Sequence, residues 1–205
     1  MTPSPTPLSP PHDRTPLTWT VALAGLWLVL ALLPEATPWL RWEHTALVQG
    51  QPWRLLTGHL VHVDLRHAVG NAAALGVLWW LYGAHLERRQ MAVGSLCIIV
   101  AVDIGLGLSR EPQHWYVGGS GLLHGWMALG CFAGLRHKDP LAALGLAGLM
   151  GKLAWEGLDT PPPLAPGVAV AVVAHAWGTA GGLLGGIMAG RLARYTGAPD
   201  SQGRS

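Results

Sequence analysis

Four polar residues stand inside or at the edge of apolar stretches, and their types could do chemistry together. Ser120 sits among glycines in YVGGSGLLHG (116–125), and His175 lies in AHAWGTAGG (174–182). His67 and Asn71 are spaced i, i+4 in HAVGN, so one helix face would present both. A serine that meets a histidine forms a nucleophile and its general base. The backbone N–H groups beside Ser120, left open by Gly118, Gly119 and Gly121, would favour a developing oxyanion at a helix N-terminus. His67 and Asn71 could donate to the same oxyanion. The bland reading stands beside this one. An intramembrane serine can bond back to its own helix, and a histidine can be a satisfied core group.

The elements that must position these residues follow from composition. Half of the 205 residues are apolar and only 12% are charged, too few to cover a soluble globule. Six apolar runs can be marked, at 17–33, 67–83, 91–108, 118–135, 141–158 and 168–190. Most approach the ~20 residues that cross ~30 Å of hydrocarbon. The expected fold is an all-α membrane protein with six transmembrane helices, a soluble all-helical protein being the alternative. Residues 1–16 hold six prolines and are expected to form a disordered tail, with no cleavable signal peptide. The membrane domain is expected over 17–190 and a second tail over 191–205.

With the N-terminus placed inside, the inner segments carry Arg14, Arg88, Arg89, Arg136, Lys138, Arg191, Arg194 and Arg204. The outer segments carry Arg41, Arg54, Arg66 and Arg110, and Lys152 falls within the fifth run. Eight against four predicts that both termini are cytoplasmic. This bias accounts for the net charge of +2 and gives no reason to invoke nucleic acid. Cys97 and Cys131 fall in apolar runs and read as buried, inert thiols. The long outer segment 34–66 holds Trp39, Trp42 and Trp53 and suits the membrane interface.

Depth then links the four polar residues. Ser120 begins the fourth run. His175 is seven residues into the sixth, roughly 10 Å below the outer boundary. If REPQHWYVGG (110–119) dips into the membrane, Ser120 and His175 share one water-accessible depth. Gly178, Gly182, Gly186 and Gly190 recur every four residues, with Gly181 and Gly185 as a second pair. This small-xxx-small pattern lets another helix backbone approach closely.

These residues resemble the motifs of the rhomboid intramembrane serine proteases. GGSG at 118–121 matches a GxSG serine motif, and AHAWGTAGG matches the AHxxGxxxG histidine motif. HAVGN matches a second-helix HxxxN motif, and WR at 53–54 matches the Trp-Arg pair of the long first loop. The motifs occur in the family's order over about 17–190. The resemblance implies a six-helix bundle in a bacterial inner membrane, with its active site opening to the periplasmic side. It implies a Ser120–His175 dyad without an acidic third member, and an oxyanion hole from His67, Asn71 and the Ser120 N–H. It implies substrate entry near the fifth helix and the outer loops, and no cofactor or metal.

SGLLHG is similar to the rhombosortase branch, where His124 takes a place that many rhomboids give to another aromatic residue. That narrower resemblance implies exported substrates with a C-terminal Gly-Gly motif, a transmembrane helix and a basic end. A general rhomboid protease and a non-catalytic client-binding protein are the alternatives.

Other polar residues admit quieter readings. His124 is one turn from Ser120 and could rival His175 as base, but packing beside His175 is the expectation. His59, His62 and His67 could hold a metal, though only Asp64 lies near them in sequence. Paired histidines leave a haem- or metal-binding membrane protein as a further alternative. Asp103 could orient a histidine, with a structural hydrogen bond as the expectation, and Lys152 with Glu156 is expected as an i, i+4 pair. Arg54 is expected to anchor the first loop, with Trp53 at the interface.

Overall fold

The computed structural model describes residues 15–109, 115–158 and 170–195. Every apolar run is helical: α1 (Thr15–Ala31), α2 (Leu65–Tyr82), α3 (Arg88–Leu108), α4 (Ser120–Arg136), α5 (Pro140–Leu158) and α6 (Val172–Tyr195). Most of both expected tails, the loop at 159–169 and the REPQH part of the dipping segment lie outside the described residues. Three of these helices, α3, α5 and the Val172–Leu192 part of α6, are long and apolar enough to cross a membrane. Leu17–Ala31 and Pro34–Leu40 form a fourth candidate only if that pair, bent by 92°, is one span.

α4 differs for a physical reason. α4 has 17 residues, roughly 26 Å, and buries eleven of them. A helix surrounded by helices needs small side chains rather than lipid-like ones, and α4 is accordingly rich in glycine and alanine. The outer faces carry the lipid-like residues instead. Val21, Val29, Leu96, Val100, Ile104, Leu144, Trp155 and Leu158 are all exposed. Such a surface suits hydrocarbon and would be a liability in water.

The two glycine rows of α6 divide their work. A Cβ on Gly178 or Gly182 would run into the carbonyl oxygen of Gly121 or Gly125 on α4. A Cβ on Gly181 or Gly185 would meet the α3 backbone, 2.8 Å from Ile98 Cα or 2.6 Å from Gly94 Cα. α6 is therefore clamped backbone to backbone between α3 and α4. Trp27, Ile98, Val102, Leu122 and Leu129 fill the core around the clamp.

The long segment between α1 and α2 folds as short helical turns tied to the bundle. Strand β1 (Trp42–Glu43) pairs antiparallel with β2 (Trp115–Tyr116), just before α4. Arg54 is buried and anchors this segment. Its guanidinium donates to Gln51 Oε1 at 2.8 Å, Pro38 O at 2.9 Å and Arg41 O at 2.8 Å. Both cysteines are free. Cys131 is buried, whereas Cys97 is only half-buried, because the α3–α6 seam leaves it beside Met188 at the bundle edge.

Candidate active site

Ser120 is the first residue of α4, so its backbone N–H has no carbonyl of its own helix to bond. The chain reaches it through Gly118, at φ +117°, a conformation that favours glycine. A Cβ there would also stand 2.8 Å from His67 Cε1. Gly118 N–H donates to Gly58 O at 3.1 Å, and Tyr116 Oη donates to Gly118 O at 2.5 Å. Trp27 packs against Gly119 and donates its Nε1–H to His59 O at 3.1 Å. The turn before the serine is thus held by α1 and by the segment between α1 and α2.

His175, buried on α6, places Nε2 3.1 Å from Ser120 Oγ. The two residues are 55 apart in sequence. They meet because Gly178 and Gly121 let α6 and α4 touch one turn below. Thr179 Oγ1 donates to His175 O at 2.9 Å, so a buried hydroxyl stays within its own helix.

The far side of His175 holds a group that the family resemblance did not imply. Glu156 of α5 lies 2.9 Å (Oε2) and 3.1 Å (Oε1) from His175 Nδ1. Lys152 does pair with Glu156 as expected, but the carboxylate also reaches the histidine. Position along the helices could have found it: Glu156 is two residues from the C-terminal end of α5, and His175 is three residues into α6.

His124 lies flat on His175, with centroids 3.9 Å apart and planes 11° from parallel. Its Nδ1 donates to Ser120 O at 2.7 Å. That bond occupies Nδ1, and the stacking on His175 is the packing expected of this residue. His124, Glu156 and His175 are also the one three-membered ligand-type cluster among the described residues. Their ligand atoms lie within 4.8 Å of one another, but His175 Nδ1 and Nε2 already face Glu156 and Ser120, and His124 Nδ1 already bonds Ser120 O.

Asn71 donates from Nδ2 to His62 Nε2 at 2.9 Å and to His67 Nε2 at 3.3 Å. Gly119 N–H also points at His62 Nε2, 3.4 Å away. Burial, with His67 nearby, drives the His62 pKa down to about 3, so His62 is neutral and can accept both. Sequence reasoning weighed His62 only as a metal ligand and missed this part. His59 instead faces Asp103, Nε2 to Oδ1 3.4 Å, so His59, His62 and His67 do not converge. If the amide of Asn71 serves an oxyanion, Asn71→Ala is expected to lower kcat about 10²-fold with KM little changed. Initial-rate kinetics on a cleavable reporter would check this.

The fold and this site define a multi-pass membrane protein with a serine–histidine pair at the end of its central helix. Residues 49–192 match the Rhomboid domain, and the chain belongs to the rhomboid family. It is 26% identical over 136 residues to proteins named "Rhomboid protease GlpG" from Salmonella newport (strain SL254) and Salmonella heidelberg (strain SL476). The same holds for Salmonella typhi. The matches cover 63% of this chain and 47% of each relative, so the chain spans about half the length of these curated relatives.

Proposed function

We propose that this protein is an intramembrane serine endopeptidase. The observation that carries the reading is the 3.1 Å approach of His175 Nε2 to Ser120 Oγ at the N-terminus of a buried helix. Ser120 Oγ attacks the scissile carbonyl while His175 Nε2 takes its proton. The tetrahedral oxyanion lies against the Ser120 N–H, with His67 and Asn71 alongside. His175 then returns the proton to the leaving amine, and water hydrolyses the acyl-enzyme. Gly118, Gly119 and Gly121 support the site by letting His67, Trp27 and the Ala174 carbonyl pack directly against the serine turn, and His124 supports His175 by stacking.

All six helices cross a bacterial inner membrane in this reading, with the membrane domain over 17–190 and both termini cytoplasmic. The active site opens to the periplasmic side. The eight-to-four distribution of Lys and Arg supports that orientation. The rhombosortase assignment rests on SGLLHG, in which His124 stacks on His175. The proposed substrates are exported proteins ending in a Gly-Gly motif, a transmembrane helix and a basic tail.

The test is co-expression with a reporter carrying that tail, and with a second reporter in which the Gly-Gly pair is replaced by Leu-Leu. Mass analysis would read the products. Cleavage of the first alone supports the sorting specificity. Equal cleavage of both makes the chain a general rhomboid protease. Cleavage that persists in Ser120→Ala overturns the nucleophile.

A further inference from the structure

We propose that Glu156 of α5 is a positioning residue that fixes the tautomer of His175, so that the lone pair of the histidine faces the serine. This rests on the reading of Ser120 as nucleophile. The side chain of Glu156 is 4% exposed, whereas that of its helix neighbour Lys152 is 44% exposed. A carboxylate that served only Lys152 would gain nothing from burial, since removing a charge from water is costly unless it is hydrogen-bonded. Glu156 instead turns inward and spans the gap to α6, ending 2.9 Å from His175 Nδ1.

The bond has a chemical consequence. A carboxylate only accepts, so Nδ1 must carry the hydrogen, and the lone pair is left on Nε2. Nε2 is the atom 3.1 Å from Ser120 Oγ. When Oγ bonds to the substrate carbonyl carbon, its proton moves to Nε2 and the ring becomes an imidazolium with both nitrogens protonated. The negative Glu156 faces that cation. The proton leaves Nε2 for the substrate nitrogen as the C–N bond breaks, and Nδ1 keeps its hydrogen throughout. Glu156 therefore stays ionised and touches no reacting atom.

Lys152 sharpens the expectation for Glu156→Gln. The ammonium bonds Oε1 of the carboxylate and, in the variant, would hold the amide by its oxygen. The amide NH2 would then face His175 Nδ1, forcing the hydrogen onto Nε2 and aiming a donor at the serine.

Two readouts test this on the full-length protein in detergent. The first is the rate at which a fluorophosphonate labels Ser120 in the parent, Ser120→Ala, Glu156→Gln and Glu156→Asp. The second is 15N NMR of histidine-labelled protein, which reports the tautomer of His175 without any substrate. Expected are an Nδ1–H tautomer in the parent and in Ser120→Ala, and an Nε2–H tautomer in Glu156→Gln. Labelling should fall about 10³-fold in Glu156→Gln, with Glu156→Asp recovering most of the rate. Labelling of Glu156→Gln within about 3-fold of the parent overturns the proposal. So does an Nε2–H tautomer in the parent, which decides the matter even if Glu156→Gln fails to fold. A parent that is neither labelled at Ser120 nor active on a reporter sinks the protease reading instead, while the NMR result still decides the role of Glu156.

Discussion

Ser120→Ala, His175→Ala and the double variant are expected to be equally inactive, each at least about 10⁴-fold below the parent in kcat. Equality is the informative part. If Oγ and Nε2 act as one unit across their 3.1 Å contact, removing either removes the whole covalent route, and the second substitution has nothing left to take. Two residues that contributed independently would multiply their losses. Single-turnover cleavage of a transmembrane reporter, with expression and melting temperature matched, would measure all three. A double variant far weaker than both singles would show that serine and histidine act apart.

The second large effect is expected from a residue with no functional group. Gly178→Leu should abolish activity, and Gly178→Ala should lower kcat about 10²-fold, although Ser120, His175 and Glu156 are untouched. A Cβ at 178 would run into the Gly121 carbonyl, one residue after the nucleophile. Backbone cannot rotate aside as a side chain can, so α6 and α4 must part and Nε2 moves off Oγ. Overpacking of this kind should also cost about 1–3 kcal/mol of stability. Gly148→Ala is the control, because nothing lies within 4 Å of a Cβ there. Thermal unfolding together with kcat would separate the outcomes. A fully active Gly178→Leu would show that the glycine contact does not set the distance between serine and histidine.

Much of the site was legible because its signals are local. GGSG and HAVGN each sit within one turn, and the 3.6-residue period shows which neighbours share a face. The periodic glycines of α6 announced close packing for the same reason. Which helix each glycine row meets was not legible, since a row has no label for its partner. Gly178 and Gly182 take α4, and Gly181 and Gly185 take α3.

Glu156 shows the other limit. Four residues after Lys152, it satisfied a local rule completely, and that sufficiency hid its second partner. His62 was read with His59 and His67 by spacing in the chain, yet it bonds Asn71 while His59 turns to Asp103. A loop residue's direction depends on what packs above and below it, and sequence spacing carries none of that.

By itself, the sequence determined the helices and the glycines, because hydrophobic length and the absence of a side chain act locally. It also determined which residue types were available for chemistry. Only the tertiary structure decided that α4, α5 and α6 bring Ser120, Glu156 and His175 to one point. Contacts between residues 19 and 55 positions apart depend on how whole helices pack, a property that no single segment contains.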